Sequence, residues 1–232
     1  MPNDHSLSKK QPRGDKARMR PLTLPEQIAN EIGQEILDGQ YQPGDPLREQ
    51  DLSDSYQVSR GPIREALRLL EMDGVVQILP NKGAQITRLT VQEVADIFEI
   101  RAALIAVSMA RICAEINDAL IDQATALVAR MREVAADPEA GAHFARLSHQ
   151  MSVMLMSASP NTRLSEMLLS LARQTVRYTR LGLGTVERRH RSAELWGDLV
   201  EAMSRRDALQ ASGLAQTLIL ESRDAAITAL EG

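Results

Sequence analysis

Residues 57–74 read QVSRGPIREALRLLEMDG, which is the most informative segment in the first part of the chain. Its apolar residues recur at helical spacing, which predicts an amphipathic helix with one buried face. Ser59 is a suitable N-cap, and Pro62 falls in the first turn, where its missing N–H breaks no intrahelical hydrogen bond. Gly74 follows at the position where a left-handed residue ends many helices.

The exposed face of this helix carries arginines. Arg60, Arg64 and Arg68 are spaced four residues apart and therefore lie on one side. A guanidinium offers a fork of donors that suits phosphates and guanine edges. The stretch is either a DNA recognition helix or an ordinary amphipathic helix with a solvated basic face, and taken alone it does not separate the two.

The flanking sequence predicts the setting of this helix. In chain order it comprises a helix over 24–39, a turn at Pro43-Gly44, a short helix over 48–56, the helix just described, and two β-rich segments over 75–79 and 84–87. Three helices and a hairpin predict a winged helix-turn-helix, whose third helix enters the major groove. Lys82, beside Gly83 at the hairpin tip, has the charge to contact the DNA backbone or minor groove.

The Pro-Gly turn, the string VSRGPIREAL over 58–67 and the glycine of the hairpin closely resemble the N-terminal domain of the GntR family of bacterial transcription regulators. The resemblance covers about residues 22–88 and implies that the arginines of the string contact an operator. Where many members carry a further DNA-contacting arginine, this chain has Gln50, so that contact is absent or is replaced by an amide that reads a base edge. The expected DNA-binding residues are Gln50, Ser59, Arg60, Gly61, Pro62, Arg64, Lys82 and Gly83.

The sequence from Thr90 onward contains no lysine and has helical spacing throughout. Thr90 and Glu93 form a capping-box pattern at its start. Six helices are predicted, over 91–116, 118–136, 139–158, 161–182, 186–204 and 207–230. The run ERRHR over 187–191 is interpreted as a solvated helix start or a dimer rim. The layout resembles the FCD effector domain of the FadR-like branch of the family.

The predicted fold class is mainly α: a basic disordered tail over 1–20, a winged helix-turn-helix over 21–89, and an all-α antiparallel helical bundle over 90–232 for effector binding and dimerisation. Many FCD domains hold a divalent metal with an Asp, a His one turn later and two further His. By the resemblance these positions fall on Ser148, Ser152, Trp196 and Leu218, and none is a good ligand. We therefore expect no metal and no other cofactor.

By the same resemblance, Arg101 would face the bundle centre and could bind a carboxylate with its guanidinium fork. This predicts a pocket for an organic acid with an apolar body, and the expected effector-binding residues are Arg101, Ser148, Ser152, Asn161, Arg177, Trp196 and Leu218. The alternative is a filled core, with Trp196 as packing and Arg101 paired with Glu99 or Asp96. Arg177 near a helix C-terminus either helps to hold an anion or complements the helix dipole.

Composition limits the remaining possibilities. The net charge is −4, the aromatic content is 3%, and the single Cys113 excludes an internal disulfide. The first twenty residues are polar and no apolar run spans a bilayer, so we expect a cytoplasmic protein. We find no paired carboxylates in a credible cleft, no nucleophile with a base and no phosphate loop, and therefore expect no enzyme.

The overall prediction is a ligand-responsive regulator, a repressor, that binds a pseudo-palindromic DNA operator as a homodimer and responds to a small carboxylate. Two alternatives stay open. One is a DNA-binding regulator with a filled bundle that acts through dimerisation or a protein partner. The other is an interaction module built on a winged helix that no longer binds DNA.

Overall fold

The computed structural model describes residues 21–80 and 83–231. The elements are α1 (Leu24–Asp38), β1 (Pro46–Leu47), α2 (Glu49–Tyr56), α3 (Arg60–Met72), β2 (Val76–Leu79), β3 (Gly83–Ile86), α4 (Val91–Glu115), α5 (Asp118–Ala135), a 3-10 turn (Pro138–Ala140), α6 (Gly141–Ser157), α7 (Thr162–Gly182), α8 (Val186–Ser204) and α9 (Ala208–Glu231). The predicted fold class, a winged helix-turn-helix followed by an all-α bundle, is confirmed. The predicted tail over 1–20 lies outside the described residues.

The ends of the first helices follow from local chemistry. Thr23 and Glu26 form a capping box at the start of α1, and Gly39 ends it with a φ of 82°. Ser59 occupies the N-cap position of α3, but its hydroxyl makes no capping hydrogen bond. That part of the prediction is wrong, because the third helical residue is Pro62, which has no N–H to donate. Gly74 has the expected left-handed conformation, with a φ of 71°.

The sheet has three antiparallel strands in the order β1-β3-β2. Strand β1 was not predicted, because two residues carry no detectable alternation. It pairs Leu47 with Ala84, so the segment after the Pro-Gly turn becomes one edge of the wing. On the other side, Val76 pairs with Ile86 and Leu79 with Gly83. The inner faces of α1, α3 and the sheet share one apolar core.

The bundle packs α4 against α9 along much of their length, and α7 lies beside both. The predicted capping box of Thr90 and Glu93 is present at the start of α4. The fully buried Arg189 donates from its guanidinium to the carbonyl oxygens of Ala135, Asp137, Leu183 and Gly184 at 2.8–3.2 Å. It therefore joins the end of α5 to the end of α7. Among the described helices, none is long and apolar enough to cross a membrane.

The winged helix and the bundle contact each other through α1, the end of α3, α6 and α7. Arg146 binds Asp38 at 2.8 Å, and Arg173 binds Asp73 at 2.6 Å. The first pair joins the C-terminal end of α1 to α6, and the second joins the end of α3 to α7.

Candidate DNA-binding surface and effector cavity

The N-terminal half of α3 presents two exposed arginines that α2 holds in place. Arg60 donates from Nε to Gln50 Oε1 at 3.1 Å and also from Nη2 to the same oxygen. Gln50 in turn donates to Asp54 at 2.7 Å. Arg64 donates to Glu49 at 2.8 Å and remains 59% exposed. Surface contacts of this kind are weak, so DNA phosphates or base edges can replace them.

The remaining predicted DNA-binding residues surround this face. Ser59, Gly61 and Pro62 form the first turn of α3, and a Cβ at Gly61 would meet no atom within 4 Å. The open backbone there allows close approach of a phosphate to a helix N-terminus. Gly83 starts β3 in a left-handed conformation with a φ of 82°. Lys82 lies outside the described residues.

A cavity of about 50 Å³ lies between the bundle helices, lined by α4, α6, α7, α8 and α9. Five of the seven predicted effector residues line it, namely Arg101, Ser148, Ser152, Trp196 and Leu218. The volume admits a small ligand of a few heavy atoms, and the lining combines apolar walls with a few polar groups. Trp196 Nε1 donates to Ser148 Oγ at 3.4 Å, so the indole is held as one wall.

Arg101 is the principal charged group of the cavity. Its side chain is buried, donates to Thr175 Oγ1 at 2.6 Å, and lies 5.2 Å from the centroid of the Phe98 ring. Its Nε has no hydrogen-bond partner. Burial lowers the pKa of the guanidinium to about 10, so it remains a cation at neutral pH. A buried cation without a counter-charge favours the binding of an anion.

The ion pair expected for a filled core is not formed within the described part of the chain. Asp96 and Glu99 are both exposed, and Asp96 accepts a hydrogen bond from Gln92 instead. Among residues 21–80 and 83–231, no carboxylate lies within ion-pair distance of Arg101.

The other two predicted effector residues lie elsewhere. Asn161 is the N-cap of α7 and accepts a hydrogen bond from the N–H of Leu164 at 3.2 Å. Arg177 stacks 4.3 Å from the centroid of the Tyr178 ring, at the junction with the winged helix. Thr175 contacts Arg101 and Thr179 lines the cavity, and a residue midway between them on a helix points to the opposite side. The structure therefore places Asn161 and Arg177 outside the cavity.

The cavity does not fit the metal site of many FCD domains. The four corresponding side chains are two serines, a tryptophan and a leucine, which do not supply the imidazole and carboxylate ligands that such metals need. Within the described ranges, no three His, Cys, Asp or Glu residues lie close enough to hold one ion. The absence of a metal from the functional protein stays a prediction.

Several polar lining residues were missed from the sequence, namely Thr179, Ser192 and Ser222, together with Thr175, which contacts Arg101. Their signal is weak, since a hydroxyl residue within an apolar helical face is also common in ordinary cores. Together with Ser148 and Ser152 they surround Arg101 with hydrogen-bonding groups. The cavity can therefore orient a polar head group and enclose an apolar body.

A winged helix with an arginine face, joined to a helical bundle with a central cavity, defines a DNA-binding regulator with an effector domain. Comparison with known proteins agrees. The family of bacterial regulatory proteins described as gntR matches residues 24–86, and the FCD domain matches residues 96–221. The chain belongs to the GntR family of transcription regulators, in the branch that carries an FCD domain. The relatives and the domain models that match it are those of transcription regulators, not of enzymes.

Relatives with curated names match about a third of this chain. The uncharacterised HTH-type regulator YdhC of Bacillus subtilis (strain 168) is 42% identical over 78 residues, which is 34% of this chain and 35% of that protein. The HTH-type transcriptional repressor GlaR of Escherichia coli (strain K12) is 37% identical over 68 residues, 29% of this chain and 31% of that protein. The matched region thus spans about a third of these relatives.

Two solved structures resemble this chain over about nine tenths of its length. E. coli McbR/YncC superimposes with a TM-score of 0.79 at 16% identity, over 91% of this chain and 100% of that one. A putative GntR regulator from Rhodococcus sp. RHA1 gives a TM-score of 0.72 at 19% identity, over 90% of this chain and 98% of that one. At these identities the similarity shows the fold alone.

Proposed function

We propose that this protein is a cytoplasmic, ligand-responsive repressor. It binds a pseudo-palindromic operator as a homodimer, and a small organic acid in the bundle cavity weakens that binding. The observation that carries the proposal is the buried Arg101, a cation without a carboxylate partner among the described residues, on the wall of an internal cavity. Burial of an uncompensated charge is costly, and a bound carboxylate would relieve that cost.

The DNA-binding part of the proposal rests on Arg60 and Arg64. Both are exposed on the same face of α3, and α2 supports their guanidinium groups without burying them. A recognition helix reads only a few base pairs, so a two-fold pair of helices is needed to specify an operator in a genome.

The homodimer part is supported by an exposed apolar stripe along α4. Ile100 and Val107 are 50% and 51% exposed, and Ala103, Ala110 and Ala114 are exposed on the same side. Their alternating spacing of three and four residues is the a/d pattern of a helix–helix seam. An antiparallel α4–α4 contact between two copies would cover this stripe. Ala103→Glu should therefore yield monomers in size-exclusion chromatography with light scattering, while Arg163→Glu, at an exposed position of α7, leaves the dimer intact.

DNA binding is tested with operator fragments selected from genomic DNA by the purified protein. Arg64→Ala should reduce operator affinity by roughly tenfold or more and lower the salt dependence by about one phosphate contact. The matched control is Arg163→Ala, since Arg163 is 90% exposed and lies in the bundle. Unchanged affinity and an unchanged salt slope for Arg64→Ala would show that α3 does not bind DNA.

The effector is tested by thermal shift and calorimetry with a set of C3 to C8 carboxylic acids and the corresponding amides. A true effector stabilises the protein by linkage and releases the operator, whereas the uncharged amide does neither. If no carboxylate binds, the bundle is a ligand-independent dimerisation module.

A further inference from the structure

A narrow passage of about 20 Å³ between α6 and α7 adjoins the bundle cavity. Arg101, Ser148, Ser152 and Thr179 line both the cavity and this passage. At its outer end the passage is lined by His149, Arg180 and Leu37, and Leu37 belongs to α1 of the winged helix. The DNA-binding domain therefore contributes one wall of the passage.

The passage has an unusual charge distribution. Arg101 lies at its inner end and Arg180 at its outer end, and Ser148, Ser152 and Thr179 line the wall between α6 and α7. None of the described residues that line it is an Asp or a Glu. Arg146 and Arg173 are already neutralised at the domain junction by Asp38 and Asp73.

Arg180 is half-buried, and its guanidinium forms no hydrogen bond or ion pair with any residue of the ranges 21–80 and 83–231. It packs against Gly39, where a Cβ would lie 1.8 Å from Nη1. Arg101 is also without a carboxylate partner in the described structure, so the two ends of the passage each present an unpaired cation.

We propose that Arg180 is a second ligand-binding residue and that the effector is a dicarboxylate, with one carboxylate bound by Arg101 and the other by Arg180. This inference rests on the proposed effector site and extends it. The hydroxyl groups between the two arginines complete the hydrogen bonds of the carboxylate oxygens. A monocarboxylate would leave Arg180 without a partner and bind more weakly.

Arg180 also connects the ligand to the DNA-binding domain. Its guanidinium lies against the last turn of α1, and Leu37 of the same turn lines the passage. When a carboxylate draws the guanidinium into the passage, α1 loses this contact at Gly39. The ligand thus binds Arg180 only in the arrangement in which this residue has left Gly39. Coupling between the effector site and the DNA-binding domain requires such a difference in ligand contacts between two arrangements.

The experiment measures, by calorimetry on the full-length protein, the binding of unbranched dicarboxylates of three to six carbons and of monocarboxylates of equal length. A second charge-assisted pair should favour the best dicarboxylate by roughly ten- to hundredfold. Arg180→Gln should abolish this preference while retaining the affinity for the monocarboxylate. Arg101→Gln should abolish binding of both classes, and Arg163→Gln should change neither.

Arg180→Lys distinguishes a ligand contact from a structural role, because it retains the charge but loses the two-pronged fork. It should restore part of the dicarboxylate preference in a protein whose melting temperature equals that of Arg180→Gln. Operator release by the best dicarboxylate should be lost in Arg180→Gln even at saturating ligand.

The two proposals fail in different ways. If monocarboxylates bind as tightly as dicarboxylates and Arg180→Gln changes nothing, the second carboxylate site is wrong and the effector site stands. If neither class binds the unmodified protein, the effector site itself is wrong, and the second site falls with it.

Discussion

Replacing Arg101 by methionine should stabilise the ligand-free protein and abolish its response to carboxylates. Methionine has a similar length and fills the space of the apolar stem. The substitution removes a buried cation whose pKa is lowered to about 10. A pKa lowered by that amount means that burial destabilises the charged guanidinium by roughly 3 kcal/mol.

The lost interactions offset part of this gain. The hydrogen bond to Thr175 contributes about 1 kcal/mol, and the contact with the Phe98 ring contributes about 0.5–1 kcal/mol. We expect a net rise of about 1 kcal/mol in the free energy of unfolding, since a functional charge is retained at the expense of stability. Carboxylate affinity should fall by at least roughly 30-fold, because a buried charged contact is worth 2–5 kcal/mol or more.

The free energy of unfolding and the carboxylate affinity can both be measured with one fluorescent probe. Trp196 is the only tryptophan and lines the cavity, so its fluorescence reports urea unfolding and ligand binding. Arg163→Met, at a position 90% exposed, is the matched control. A loss of 2 kcal/mol or more, or an unchanged carboxylate affinity, would refute the reasoning and make Arg101 a structural residue.

Three further substitutions test other parts of the structure. Arg189→Met should cost about 3–5 kcal/mol in urea unfolding, because the buried carbonyl groups of Ala135 and Leu183, together with two partly buried ones, lose their donor. A loss below 1 kcal/mol would contradict this. Burial, then Arg101 and Arg173, lower the pKa of His149 to about 4, so the folded imidazole is neutral at pH 7. The contribution of His149 to the free energy of unfolding should be fully present above pH 6.5 and should fall by about 1–3 kcal/mol as the pH decreases towards 4. His149→Gln should remove this pH dependence. Identical pH profiles for the two proteins would show that His149 is solvated. Gln50→Ala should weaken operator binding about three- to tenfold in gel-shift titrations and broaden the base preference, because Arg60 loses the acceptor that orients its guanidinium. A change in affinity without a change in base preference would instead assign Gln50 to a contact with the DNA backbone.

Much of the helical architecture was predictable because long, capped, periodic segments carry strong local signals. The helix predicted over 91–116 is Val91–Glu115, and that predicted over 186–204 is Val186–Ser204. Strand β1 was not predictable, since its two residues are a strand only because β3 lies beside them. The interpretation of the run 187–191 as a solvated start or dimer rim was wrong for Arg189, because charge alone does not show whether carbonyl groups will surround a side chain.

Part of the candidate site was likewise predictable from the sequence, and part was not. Helical spacing and the family resemblance brought Arg101, Ser148, Ser152, Trp196 and Leu218 to one cavity. The same reasoning placed Asn161 and Arg177 in the cavity, where the structure does not have them. Asn161 caps α7 and Arg177 points away from the cavity, and no local sequence pattern distinguishes such residues from residues that line it.

Local sequence signals suffice to specify a winged helix-turn-helix followed by a helical bundle. These features depend on caps, turns and periodicity, which act over a few residues. Only the tertiary structure decided that Arg101 has no ion-pair partner among the described residues, and that the passage beside the cavity is lined by α1 and Arg180. Both facts depend on side chains that are distant in the chain. The surroundings of Arg101 arise when the bundle helices pack together, and the contact of Arg180 with Gly39 arises when the two domains pack together.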